Sequence, residues 1–135
     1  ADLIEPIAEC DVVAFGADRS QLLRLLAAQG QSVAVGTAYG IKGYGFARTG
    51  AVTSHVGPVV SVDADTASSI VQALMARLPD GPICWDVLPD NVAAKALATS
   101  FGFTLQHRFT RMCLGSQAHA GDLSLVFGTA GLELG

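Results

Sequence analysis

The sequence has few charged residues and no long apolar run. Charged residues make up 15% of the 135 positions and hydrophobic residues 50%, a balance that favours a compact fold over disorder. The net charge of −4 argues against the basic face that nucleic-acid binding requires. No apolar stretch is long enough to cross a bilayer, and the start of the chain lacks the basic region of a signal peptide. The length predicts one domain with a core of its own.

Cysteine and histidine are also scarce. The three cysteines, Cys10, Cys84 and Cys113, form an odd and scattered set, and no cysteine–histidine spacing predicts a zinc site. We expect buried free thiols and a reducing cytoplasm. The sequence contains neither a Gly-x-Ser-x-Gly motif nor a Cys/His nucleophile signature. The composition therefore predicts no metal and no covalent nucleophile.

The apolar periodicity predicts alternating helices and strands. In chain order these are helices over 3–14 and 19–29, strands over 32–38, 41–48 and 51–62, a helix over 66–78, a strand over 83–88, a helix between Asp90 and Gly102, and strands over 103–112 and 123–127. Asp18 and Asp90 are predicted N-caps, with Gln21 completing a capping box after Asp18. Because Pro58 cannot donate to a strand ladder, the third strand is expected to bulge or to part from a neighbour there.

The last predicted helix carries the clearest family resemblance. Asn91, Ala94 and Leu97, followed by Gly102-Phe103, are similar to the last helix of GNAT-type N-acetyltransferases. In that family the helix has an Asn near its start and ends in Gly-Phe. The predicted order α-α-β-β-β-α-β-α-β-β is that of the mixed α/β GNAT fold without its first strand. The resemblance therefore implies a single GNAT-like domain over residues 1–135.

Several shorter segments support a closer likeness. They look like the C-terminal GNAT-like domain of two-domain bacterial acetyltransferases, in which case the chain is a fragment and a partner domain precedes it. The segments are Phe15-Gly16-Ala17-Asp18-Arg19, Val56-Gly57-Pro58-Val59-Val60, Trp85-Asp86-Val87 and Thr110-Arg111-Met112.

The resemblance also implies where acetyl-CoA would bind. In GNAT folds the pantetheine arm pairs like an added strand beyond the point where two parallel strands diverge, and the pyrophosphate lies on the next helix N-terminus. The corresponding residues here are Val59, Val60, Ser61, Val62, Thr66, Ala67 and Ser68, with Asn91 carried over from the last helix. A slot is thus expected just beyond Pro58. The backbone N–H near Val60 would polarise the thioester carbonyl there.

Two features depart from the family pattern. Where the family loop has a basic residue and glycines, this chain has Asp63 and Asp65, so a plain N-cap is an alternative to phosphate binding. Where many members have a tyrosine that protonates the departing thiolate, this chain has Ala98. Tyr39 and Tyr44 are in the predicted hairpin and could reach the site only by folding across it.

His55 and Asp86 are the candidates for a general base that takes a proton from an attacking ammonium group. Histidine ordinarily titrates near neutral pH, and Asp86 lies in the next predicted parallel strand, so both could reach one cleft. The alternatives are a hydrogen-bonded strand histidine and an aspartate that fixes the following turn. His107 and His119 are expected at the surface.

Taken together, the residues and the resemblance predict an acyl-CoA-dependent N-acetyltransferase acting on a primary amine. One alternative is a domain that kept the fold but lost coenzyme binding, and covers substrate or dimerises beside a catalytic GNAT domain. Another is an unrelated α/β small-molecule binding protein. Arg108 and Arg111, expected on opposite faces of a strand, would meet an anionic substrate or a neighbouring domain.

Overall fold

The computed structural model describes residues 3–110, 112, 114, 115, 121–131 and 134. The elements are α1 (Ile4–Phe15), α2 (Ser20–Gln29), β1 (Gln31–Thr37), β2 (Gly40–Arg48), β3 (Ser54–Ser61), α3 (Ala64–Met75), β4 (Ile83–Trp85), α4 (Val92–Ser100), a 3₁₀ turn (Leu123–Leu125) and β5 (Val126–Gly128). The four predicted helices and the first four predicted strands are confirmed, with ends that differ by a few residues. Within the described chain, no helix has the length and apolarity needed to span a membrane.

The five strands form one mixed sheet. Its main path runs β1-β2-β3-β4, antiparallel at the first two pairings and parallel between β3 and β4. Strand β5 pairs antiparallel with β3, joining Val59 to Gly128 and Val60 to Val126. Because β2 covers the other side of β3 along its length, β4 and β5 must share one edge of β3. Along that edge, residues 54–56 pair with β4 and residues 59 and 60 pair with β5.

Helices cover both faces of the sheet. Successive strand residues point to opposite faces, so Tyr44, Phe46 and Val60 pack under α1 and α2, whereas Val56 and Val59 pack under α3 and α4. All five of these side chains are buried. The result is a three-layer α/β/α domain whose two cores lie on either side of β3.

A buried polar network joins α1 to the sheet. The Asp11 carboxylate accepts from Arg19 Nε at 2.7 Å and Nη2 at 2.9 Å, and it also accepts from the Tyr44 hydroxyl. The Arg19 guanidinium lies 3.9 Å from the centroid of the Phe15 ring, within cation–π range. Burial, together with the Asp11 charge, raises the pKa of Tyr44 above its usual range. Tyr44 therefore stays a neutral donor, and the network fixes where α1 lies on β2.

The strand predicted over 103–112 is wrong over residues 103–110, which have no regular secondary structure. A strand needs a partner, and this segment pairs with no other described strand. Leu105 and Phe109 are correspondingly exposed, while the Phe103 ring stands edge-on to Trp85. The idea that Arg108 and Arg111 lie on opposite strand faces loses its basis, and Arg111 itself lies outside the described residues.

Two smaller expectations are also wrong. The N-cap of α4 is Asn91, not Asp90, because the helix starts one residue later and the Asn91 side chain accepts from Ala94 N–H at 3.0 Å. Cys84 is exposed rather than buried, whereas Cys10 is half-buried and burial raises its thiol pKa. Cys113 and His119 lie outside the described residues.

Two other predicted helix ends are confirmed, and a third is wrong. Asp63 caps α3, and Gly102 closes α4 in the left-handed region with φ of 88°. Asp18 is not the N-cap of α2, because Arg19 occupies that position; the Asp18 carboxylate accepts from Ser20 N–H at 2.9 Å, one residue earlier than a capping box with Gln21 requires.

Candidate active site

The two candidate bases meet where β3 and β4 begin to part. The parallel pairing joins only Ser54–Val56 to Ile83–Trp85, with His55 in its centre and Asp86 directly after β4. His55 Nε2 lies 3.1 Å from Asp86 Oδ2. An ionised carboxylate can only accept, so this contact is a hydrogen bond to such a carboxylate when Nε2 carries a proton. The imidazole is 14% exposed and the carboxylate 31%, so Asp86 is the more accessible member.

The predicted slot beyond Pro58 is filled by the chain itself. Strands β3 and β4 do part after Val56, but β5 lies along β3 at Val59 and Val60. The Trp85 indole Nε1 donates to the Phe127 carbonyl at 2.7 Å, which holds β5 from the β4 side. An open slot is therefore the wrong expectation for this arrangement. The physical reason is that β5 fills both cores, with Val126 buried under one helix pair and Phe127 under the other.

The other predicted strand contacts lie at the end of β3. Ser61 is buried, and its hydroxyl donates to the Asp63 carbonyl at 2.7 Å. Val62 is 54% exposed, and its N–H donates to the Lys42 carbonyl at 3.0 Å. These two residues thus contribute to the turn between β3 and α3.

The α3 N-terminus is occupied by its own cap. Asp63 Oδ1 accepts from Thr66 N–H at 2.7 Å, and the Asp63 carbonyl accepts from Ala67 N–H at 3.1 Å. The hydrogen bond from Thr66, and secondarily Lys42 at 3.7 Å, lower the pKa of Asp63. The Ser68 hydroxyl accepts from Gln72 Nε2 at 2.9 Å. Asp63 is therefore the N-cap of α3, and a phosphate here would compete with its carboxylate.

Asn91 is buried at the far side of β5. Its side-chain oxygen caps α4, and its Nδ2 donates to the Val126 carbonyl at 2.7 Å and to the Ser124 carbonyl at 3.3 Å. Asn91 thus borders the predicted slot, with both ends of its amide engaged by the protein.

The remaining candidates lie elsewhere. Tyr39 is 99% exposed at the hairpin turn, and Tyr44 belongs to the buried network with Asp11. His107 is exposed, as expected, in the irregular segment after α4. In the part of the chain that the structure describes, no group of acidic, histidine and cysteine side chains could hold a metal ion.

Sequence reasoning missed the residues that hold the C-terminal segment. Arg48 Nη1 donates to the Ala130 carbonyl at 2.9 Å, and the Asp86 carbonyl accepts from Thr129 N–H at the same distance. Gly57 has φ of 146°, and a Cβ there would lie 2.0 Å from the Thr129 carbonyl oxygen. In the sequence, only Gly57 indicated this contact, because a glycine inside a strand often marks a close approach of another backbone.

The contacts of β5 and of Asp63 determine whether acetyl-CoA can occupy its predicted position. In the placement predicted from the resemblance, a pantetheine arm would need the edge of β3 that β5 occupies, and a pyrophosphate would need the N–H groups at α3, of which Asp63 occupies that of Thr66. The coenzyme therefore does not fit along β3 while β5 is paired there.

Comparison with known proteins agrees with this architecture. The chain is similar to the crystal structure of a mutant of TTHA1254 from Thermus thermophilus, with a TM-score of 0.63 and 17% identity. The match covers 84% of this chain and 95% of that one, and at such identity it shows the fold alone. No curated protein sequence matches significantly. The family model described as "Acetyltransferase (GNAT) domain" matches residues 7–128, and the chain therefore belongs to the GNAT acetyltransferase domain family.

Proposed function

We propose that this chain is a cytoplasmic, acyl-CoA-dependent N-acetyltransferase that acetylates a primary amine. Family membership supports acetyl transfer in general. The observation that carries the finer proposal is the 3.1 Å contact between His55 and Asp86 where β3 and β4 part. An amine attacks as the free base, so an ammonium substrate must lose a proton first, and this pair is suited to accept it.

The two members of the pair have different roles in this proposal. Asp86 is the more exposed member, so its carboxylate contacts the ammonium group of the substrate. His55 holds that carboxylate through Nε2 and shares the charge of the transferred proton. On accepting the proton the pair changes from a net charge of −1 to zero, while the substrate becomes a neutral amine. The low exposure of His55 keeps this hydrogen bond partly shielded from water.

Acetyl-CoA supplies the activated acetyl group. The contacts proposed for it are the predicted ones, namely Val59, Val60, Ser61 and Val62 along β3, Thr66, Ala67 and Ser68 at α3, and Asn91. Those at Val59 and Val60 would be available only when β5 is not paired with β3.

An activity assay tests the proposal. Purified chain is mixed with acetyl-CoA and a panel of primary amines, including amino sugars, and the released thiol is measured. We expect turnover that falls at least about 100-fold in His55→Gln and in Asp86→Asn. His107→Gln, an exposed histidine outside the site, is the matched control and should keep wild-type activity. Absence of turnover with every amine, or equal rates in His55→Gln and the control, would refute the assignment.

A second candidate function is a non-catalytic domain that pairs with a catalytic GNAT domain. The occupied α3 N-terminus favours it, because Asp63 already uses the N–H group that a phosphate would need. A set of exposed apolar side chains after α4 also favours it, since such side chains suit a contact with another domain. They are Leu105, Phe109, Met112 and Leu114.

Calorimetry with acetyl-CoA separates the two candidates. A ligand at 100 times its dissociation constant should add about 2.7 kcal/mol of stability, which a thermal shift also detects. Neither heat nor shift at millimolar acetyl-CoA would favour the non-catalytic function. If the Asp63 and Asp65 carboxylates are what weakens binding, then Asp63→Gly with Asp65→Gly should tighten it. Unchanged affinity would remove that explanation.

A further inference from the structure

The segment from Val126 to Ala130 is held along both edges and at both ends. β3 pairs with it on one edge, at Val59 and Val60. From the other edge, Trp85 Nε1 donates to the Phe127 carbonyl and the Asp86 carbonyl accepts from Thr129 N–H. The two ends are held by side chains, because Asn91 donates to the Val126 carbonyl at 2.7 Å and Arg48 to the Ala130 carbonyl at 2.9 Å.

We infer that β5 and an acyl-CoA molecule compete for the same edge of β3, so that binding the coenzyme requires β5 to leave. This inference rests on the proposed function, since it concerns the coenzyme of that reaction. An extended ligand with amide groups can add to a strand edge only where that edge is unpaired. The predicted positions of the pantetheine arm include Val59 and Val60, and both are paired with β5.

The competition makes coenzyme affinity a measure of how often β5 is released. If only a fraction of molecules has the edge unpaired, the apparent dissociation constant rises by the inverse of that fraction. β5 is well anchored, because Val126, Phe127 and Ala130 are all buried. Wild-type affinity should accordingly be weak, and changes that loosen β5 should strengthen it.

Gly128 is the position at which β5 can be loosened without altering β3. A Cβ at Gly128 would lie 2.7 Å from Trp85 Nε1 and 3.6 Å from Val59 Cβ, so Gly128→Val crowds the strand out of place. Trp85→Phe offers a second route, because it removes the donor to the Phe127 carbonyl. Leu26→Ala is the matched control, since it removes a buried side chain of α2, a helix that packs chiefly on α1, β1 and β2.

A reversible crosslink tests the opposite change. Val60 and Val126 are direct partners across the β3–β5 pairing, so Val60→Cys with Val126→Cys should lock β5 when oxidised. Reduction by dithiothreitol releases the lock in the same sample. The single variant Val126→Cys controls for the substitution, and the three native cysteines, Cys10, Cys84 and Cys113, are present in both proteins.

The experiment measures acetyl-CoA affinity by calorimetry, with hydrogen exchange at residues 126–130 reporting release of β5. We expect Gly128→Val and Trp85→Phe to bind about tenfold more tightly or better, and the oxidised double variant to bind at least about tenfold more weakly than its reduced form. Equal affinity in all these proteins would overturn the inference. So would faster exchange at residues 126–130 without any gain in binding.

The outcome is separable from that of the proposed function. If affinity follows β5 release but no variant acetylates an amine, the competition stands and the enzyme assignment fails. If the oxidised variant acetylates as fast as the reduced one, the enzyme assignment stands and the competition fails.

Discussion

Replacing Arg19 with methionine would leave the Asp11 carboxylate buried without the cation that neutralises it. The side chains of Arg19 and Asp11 are only 8% and 1% exposed. Two unit charges about 4 Å apart attract by roughly 4 kcal/mol at an effective dielectric constant near 20. Removing one partner of a buried pair typically costs about 3 to 5 kcal/mol, because the other charge stays desolvated. We therefore expect Arg19→Met to lower the free energy of unfolding by that amount.

Urea titration at 25 °C measures the loss, and thermal unfolding should show a fall of roughly 10 to 20 °C. The same two helices provide the control. Arg24 and Glu5 also join α2 to α1, but their side chains are 45% and 66% exposed. Arg24→Met should change the free energy of unfolding by at most about 1 kcal/mol, because water and salt screen an exposed pair.

The reasoning fails if Arg19→Met loses no more stability than Arg24→Met. A further variant distinguishes the lost attraction from the buried charge. Replacing both partners, as in Asp11→Leu with Arg19→Met, removes the desolvated carboxylate, so it should recover part of the stability lost by Arg19→Met alone. A double variant less stable than the single one would mean that packing, or the buried Tyr44 hydroxyl left without its acceptor, outweighs the relief of the buried charge.

Three further predictions concern the elements around the site. Asn91→Ala should lower the free energy of unfolding by about 2 to 4 kcal/mol in urea, because α4 loses its cap and the buried Val126 carbonyl loses a donor. The pKa of Asp63 is lowered in the folded protein, chiefly by the hydrogen bond from Thr66. The stability that ionised Asp63 gives to the fold is therefore complete above the ordinary carboxyl pKa, and it is lost as the pH falls through the lowered value. Asp63→Asn should therefore flatten the decline in melting temperature below about pH 4, and an unchanged decline would contradict this. Gly45→Ala should lower the free energy of unfolding by about 1 to 3 kcal/mol in urea, because the new Cβ would lie 2.6 Å from a side-chain carbon of α3. An unchanged free energy would show that α3 can shift to make room for it.

Local patterns were sufficient for most of the fold. Helix α3 combines a capping aspartate with apolar residues at helical spacing, and both signals act within a few residues of sequence. The hairpin of β1 and β2 shows a period of two around the turn at Tyr39. The approach of His55 and Asp86 could also be predicted, because β3 and β4 are parallel neighbours and Asp86 follows Cys84, the partner of His55, by two residues.

Those patterns could not predict which strand each segment pairs with. Residues 103–110 and 126–128 both look like strands in sequence, yet only the second segment pairs with a described strand. The difference comes from distant residues, since Trp85 and Asn91 bind the carbonyls of residues 126–128. Periodicity reports whether a segment suits a sheet, but it does not report which edge the segment will occupy.

The edge of β3 that pairs with β5 and the N-terminus of α3 that Asp63 caps are two parts of one arrangement. In the proposed coenzyme site, β5 supplies backbone amides to β3 at the positions proposed for a pantetheine arm, and Asp63 supplies a negative charge to α3 at the position proposed for a pyrophosphate. Lys42, 3.7 Å from that carboxylate, adds the cation that an anionic ligand would require. The two groups act at opposite ends of the predicted ligand site, so loosening β5 alone should strengthen coenzyme binding only in part. Combining Gly128→Val with Asp63→Gly should therefore strengthen it more than either change does, whereas no added gain would mean that the coenzyme binds without using the α3 N-terminus.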